Sequence, residues 1–330
     1  MEETDKRISQ LERTRRRLLF RRLLLVISLA LWSLVGWLSW RFLSPDPSGD
    51  KLNELAWKQS FIDYKWPIPE GPREGLWGRD YPPVEDDVLG WRMAERNVPA
   101  MFTVNNHGVQ TFSAGTGDKL SVMIVGGSVA GGAYASTEAN TYFAEFAVEM
   151  AKDGSPVEIS VLAAGAWTSL NEFAAVKREF TRVNPDVIIL LDGLNDLTCR
   201  VDLPLQDRVV EYRDNIKMII DFIDGRSQVV MCLQPFLPHK VHKSMLEERI
   251  IELSTGIEVL VSGYEGLHVA VDGLQNLYPD VIVFDATDLF THETESVFSD
   301  LWHFPDPGHR KLGQFLAREC IESGIDGISE

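Results

Sequence analysis

Past about residue 118 the chain alternates short apolar runs with longer amphipathic stretches. The runs at 120–126, 157–163, 187–191, 229–233 and 281–284 are too short for helices and rich in Val, Ile and Leu. Such runs read as strands buried on both faces. Between them, 138–152 carries Phe143, Phe146, Ala147 and Met150 at helical spacing, and 170–182 and 208–224 repeat the pattern. Helices also fill much of 243–277, and a last one covers 307–323. Strand and helix in strict alternation predict an α/β fold, a parallel five-stranded sheet with helices on both faces and right-handed crossovers.

Upstream the pattern changes twice. Residues 23–40 hold no charged side chain, and at helical rise this run measures about 27 Å, close to the thickness of a hydrocarbon core. Phe42 and Leu43 extend it while Arg41 snorkels. Arg13, Arg15, Arg16, Arg17, Arg21 and Arg22 precede the run, so a cytoplasmic N-terminus and an outward-facing remainder are expected. Trp32, Trp37 and Trp40 crowd its outer half as an interfacial belt would, and no small-x-small cleavage site follows. The expected organisation is a basic cytoplasmic stretch (1–22), a single-pass anchor (23–43), a Pro/Ser/Gly linker (44–50), a lead-in (51–117) and a catalytic domain (118–330). In the lead-in, Trp57, Trp66, Trp77 and Trp91 are interleaved with Pro67, Pro69, Pro72, Pro82 and Pro83. That fits neither period for long, so the segment is expected to wrap the domain, with ordered turns at 87–92 and 105–108.

Charge narrows the partners. The first 50 residues hold nine basic and six acidic side chains, so of a chain whose net charge is −17, residues 51–330 carry 23 basic against 43 acidic, a net of −20. A surface of that sign repels nucleic acid and anionic headgroups. Cys199, Cys232 and Cys320 are too few for a disulfide framework; buried free thiols are expected, with a Cys199–Cys232 pair left open. No Asn-x-Ser/Thr sequon occurs, which suits a bacterial periplasm.

Four stretches carry candidate chemistry. The strand at 120–126 breaks into Gly126-Gly127-Ser128-Val129, placing Ser128 at a strand's carboxyl end, where open α/β sheets bind ligands. The strand at 157–163 runs into Gly165, whose N–H can donate to an oxyanion. The strand at 187–191 stops at Gly193-Leu194-Asn195-Asp196, offering a carboxamide, with Asp192 and Asp196 holding its turn. Asp300-Leu301-Trp302-His303 sets an acid three residues ahead of a histidine. Within one turn the acid reaches one imidazole nitrogen and leaves the other for a serine. His309 reads as structural or surface. His239 and His242 have no third ligand at metal-binding spacing, so no metal site is expected.

The order Ser128, Gly165, Asn195, Asp300-x-x-His303 resembles the SGNH hydrolase superfamily, the GDSL-type esterases and lipases, over roughly 118–325. The resemblance implies a flavodoxin-like three-layer sandwich. It makes Ser128 the nucleophile and a backbone oxyanion donor, Gly165 and Asn195 the other donors, His303 the general base and Asp300 its orienting acid. The family's Gly-Asp-Ser-Leu box reads Gly126-Gly127-Ser128-Val129 here, similar to a Gly-Gly-Ser subgroup of bacterial members, and leaves the substrate class open.

The expected activity is therefore a serine esterase needing no cofactor. Its partners would be an acylated small molecule or glycan, with O-acetyl groups of cell-envelope glycans favoured by the anchor, and the membrane through that helix. Acyl transfer or lipid-ester hydrolysis by the same triad is the alternative. A non-catalytic accessory subunit of a membrane complex is the reading from another class. Trp167, Trp302 and the loop 235–244 are expected to shape the pocket.

Overall fold

The computed structural model describes residues 84–97, 103–200, 202–254 and 256–325; the expected anchor, the linker and 51–83 lie outside the described residues. Among the described residues no helix is long and apolar enough to cross a membrane.

The five expected strands form as β6 (Leu120–Gly126), β7 (Val157–Ala163), β8 (Val187–Asp192), β9 (Gln228–Leu233) and β10 (Ile282–Asp285). All five pair in parallel in the order β10-β9-β8-β6-β7. Val122, Met123, Ile124, Val125, and Ile188 through Leu191, are all buried, which is why the central runs show no alternation. The sheet is wider than five strands. Two hairpins precede β6: β1 (Val84–Asp86) with β2 (Gly90–Arg92), and β4 (Thr103–Val104) with β5 (Val109–Ala114), while β3 (Arg96–Asn97) pairs with β4. β5 lies antiparallel against β7, so β5, β4 and β3 extend the sheet to eight strands. The lead-in thus enters the sheet itself.

The helices are α1 (Tyr142–Lys152), α2 (Ser169–Val183), α3 (Leu194–Cys199), α4 (Leu205–Ile223), α5 (Met245–Leu253), α6 (Ile257–Leu277) and α7 (Asp306–Glu322). α1 starts later than its hydrophobic pattern suggests, because Thr141 caps it by accepting from Ala144 N–H at 3.2 Å. α1 and α7 pack together, and α2, α4 and α6 pack side by side as a second group. Right-handed crossovers in this strand order put the two groups on opposite faces.

The order has one consequence for the site. β6 feeds α1 toward β7 on one side, and β7 then feeds α2 back past β6 to β8 on the other. The carboxyl end of β6 is therefore the switch point where an open sheet leaves a crevice.

Candidate active site

Ser128 stands two residues beyond β6, in that crevice, and is half-buried. Its turn is anchored throughout. Ala133 N–H donates to Ser128 O at 3.0 Å, and the Tyr142 hydroxyl donates to Ala130 O at 2.6 Å. Ser136 donates from its N–H and hydroxyl to Asp306 on α7, at 2.7 and 2.5 Å. Burial pushes the Asp306 carboxyl up to about 6. His309, also on α7, donates from Nε2 to Ala133 O at 2.9 Å. The His309 ring is fully buried, not on the surface, and burial lowers its pKa to about 4, keeping it neutral.

The loop after β10 brings His303 and Asp300 to the serine. His303 Nε2 lies 2.8 Å from Ser128 Oγ, and His303 Nδ1 lies 2.7 Å from Asp300 Oδ2. An ionised carboxylate only accepts, so Nδ1 carries the proton and Nε2 is left to accept from the serine hydroxyl. The other oxygen, Oδ1, accepts from the N–H groups of Trp302 at 3.0 Å and His303 at 2.8 Å, which fixes the carboxylate's orientation. Tyr134 covers the imidazole, with ring centroids 4.5 Å apart, from a left-handed backbone at φ +73°.

Asn195 sits in the first turn of α3, not in a loop. The bend from β8 requires φ +99° at Gly193, a conformation that side chains resist. Asn195 Nδ2 donates one hydrogen to Trp167 O at 2.8 Å. It also lies so close to Gly127 that a Cβ built there would stand 2.1 Å from it. With Asn195 in this position, a side chain at 127 would force its amide to shift. Gly165 is half-buried, with open space on its Cβ side. Of the expected oxyanion donors, Asn195 Nδ2 is thus placed against the residue just before Ser128, and the N–H groups of Ser128 and Gly165 are left without a backbone acceptor among the described residues.

Glu172, Tyr212 and Lys240, which support the site, were not singled out in the sequence. The expected turn residues Asp192 and Asp196 do more than hold a turn. Asp196 accepts from Ser169 Oγ at 2.5 Å and Ser169 N–H at 3.1 Å, joining the start of α2 to α3. Burial raises its pKa to about 7. Asp192 accepts from Tyr212 at 3.0 Å, and Glu172, wholly buried, faces Asp192. Burial and the neighbouring carboxyl push Glu172 well up.

Lys240 and Glu247 form an ion pair at 2.5 Å with both side chains fully buried. Glu247 also accepts from Val297 N–H at 3.0 Å, and Lys240 donates to Glu295 O, so the pair clips the loop after β9 to the approach to Asp300. The sequence signal was Ser244-Met-Leu-Glu247, a capping box in which the two residues bond reciprocally at 3.2 and 2.9 Å.

Trp167 is buried and its ring is committed to a hydrogen bond with the lead-in, so it is not an open pocket wall. Trp302 is half-buried beside His303, with centroids 6.0 Å apart. All three thiols are free, and Cys199 is exposed while Cys232 is buried. Among the described residues no group of three His, Cys, Asp or Glu side chains is placed to hold a metal ion. His239 instead packs edge-on against Phe236 and Tyr264.

No protein-family model matches the chain, and no curated protein matches it. Solved structures do. A lipase/acylhydrolase from Enterococcus faecalis is similar over 61% of this chain and 96% of its own, at 17% identity and TM-score 0.47. An acetyl xylan esterase is similar over 60% and 98%, at 14% identity and TM-score 0.45. A catalytic mutant of an acetylxylan esterase from Geobacillus stearothermophilus is similar over 63% and 96%, at 13% identity and TM-score 0.44. At such identities and scores the likeness decides nothing about chemistry, which rests on the residues above.

Proposed function

We propose that the protein is a serine ester hydrolase in which Ser128 is the nucleophile, His303 the base and then the acid, and Asp300 the group that orients the imidazole. The observation that carries this reading is the continuous hydrogen-bonded relay from Ser128 Oγ through both His303 nitrogens to Asp300, at 2.8 and 2.7 Å. As Ser128 Oγ attacks an ester carbonyl, His303 Nε2 takes its proton, and Asp300 stabilises the imidazolium without being protonated. The N–H groups of Ser128 and Gly165 and the free hydrogen of Asn195 Nδ2 face the developing oxyanion. His303 then protonates the departing alcohol, and water activated at the same nitrogen releases the acid and restores Ser128.

The substrate proposed is an O-acetyl ester on a cell-envelope glycan, met outside the cytoplasmic membrane by a domain held on the 23–43 helix. Two features support it. The net charge of −20 carried beyond Asp50 disfavours close approach to anionic lipid. Tyr134 and Trp302 crowd the imidazole, which suits a short acyl group.

Acyl length separates the possibilities. With p-nitrophenyl esters of two to twelve carbons and full-length protein in detergent, kcat/KM is expected to be highest for acetyl and to fall with each added methylene. A groove that buries the chain would instead gain roughly 0.8 kcal/mol per methylene. A maximum at eight carbons or longer would replace the glycan ester by a lipid ester.

A further inference from the structure

The turn that carries Gly165 is built partly by the lead-in. Trp91, on β2, donates from Nε1 to Gly165 O at 2.9 Å, and Trp91 O accepts from Trp167 Nε1 at 2.8 Å. Trp91 thus bonds to both ends of the Gly165–Trp167 turn, its indole N–H to Gly165 O and its carbonyl to the Trp167 indole 76 residues on. The residue between the two ends, Ala166, is exposed and has φ +62°, a left-handed conformation that an alanine holds only when its surroundings impose it. Trp167 O in turn receives Asn195 Nδ2 at 2.8 Å. One three-residue turn therefore sets both oxyanion donors that do not belong to Ser128. The hairpin bearing Trp91 is itself docked on α2: Asn171 Nδ2 donates to Leu89 O at 2.9 Å and Arg178 Nη1 to Asp86 Oδ2 at 2.7 Å. Leu89 at its tip is buried.

We infer that Trp91 is a positioning residue for ester hydrolysis, its indole N–H holding the 165–167 turn in the left-handed conformation that aims the Gly165 N–H and the Asn195 amide at the oxyanion. The inference rests on the serine-hydrolase reading and adds that the segment ahead of β6 completes the site. A positioning role leaves ground-state binding alone and lowers the barrier to acyl transfer, so its loss appears in kcat.

The test uses p-nitrophenyl acetate and full-length protein in detergent. Trp91→Phe keeps the ring and removes the donor. Its kcat is expected to fall by about 10–100-fold, the range that misplacing a catalytic group produces, with KM within about twofold and the pH profile of kcat/KM unchanged because His303 and Asp300 are untouched. Adding Ala166→Gly, which makes φ +62° inexpensive, is expected to restore most of the loss. Ala166→Val, at an exposed position with Trp91 intact, should reproduce it, and serves if Trp91→Phe fails to fold. Wild-type turnover with Trp91→Phe and Ala166→Val both within twofold, or a Trp91→Phe loss that glycine at 166 does not relieve, would overturn the inference alone. A wild type with neither turnover nor labelling of Ser128 would remove the hydrolase reading and the inference with it.

Discussion

Asn195 has one amide hydrogen on Trp167 O and, in the proposed mechanism, gives the other to the oxyanion. Its truncation therefore removes a transition-state donor and leaves an unpaired carbonyl. For Asn195→Ala the expected outcome is a kcat loss of about 10²–10³, the usual effect of deleting one such donor, with KM little changed. Steady-state kinetics on the acetyl ester checks it; a loss confined to KM would make Asn195 a substrate-binding group. At this scale the sequence was most legible. Ser128, Gly165, Asn195, Asp300 and His303 each follow a strand or turn signal that local pattern exposes. Trp91, Tyr134 and Lys240 meet Gly165, His303 and Glu295, 74, 169 and 55 residues away, and Glu172 meets the Asp192 carboxyl from another element, contacts that no local pattern marks.

Among the elements, the five parallel strands were legible because a strand buried on both faces is an unbroken apolar run. β5 was not, because in Val109-Gln-Thr-Phe-Ser-Ala114 the polar Gln110 and Thr111 are adjacent and break both the apolar run and the alternation, and its pairing with β7 makes it a strand. α3 was missed for its six residues and its entry through Gly193, which offers no capping side chain. Two expectations belong to this scale. Lys240→Met should lower unfolding free energy by about 3–5 kcal/mol in denaturant titrations, because Glu247 is left buried and unpaired. A change under about 1 kcal/mol would mean that the pair does not clip the two loops. Asp196 has a folded pKa of about 7, above its unfolded value near 3.8, so the folded state binds the extra proton. Its contribution is fully present below the unfolded value and lost as pH rises through about 7. Relative to Asp196→Asn, wild type should therefore lose melting temperature between about pH 4 and 7 and no further above. Parallel curves for the two proteins would place the Asp196 pKa near its unfolded value.

For the whole molecule, the switch point at β6 makes the parts cohere. It puts the Ser128 turn in a crevice between the loops that follow β7 and β8, and α7 holds that turn through Asp306 and His309 while the preceding loop delivers His303. An active serine is distinguished from a merely buried one by its reactivity toward a phosphylating probe, since that reaction needs both the base and the oxyanion donors. The decisive measurement is intact-mass and peptide mapping of full-length, detergent-solubilised protein after treatment with a fluorophosphonate. One adduct per chain on Ser128 is expected, absent from Ser128→Ala and strongly slowed in His303→Ala. Folded wild-type protein that takes up no adduct, or takes it up equally without Ser128, would contradict the account.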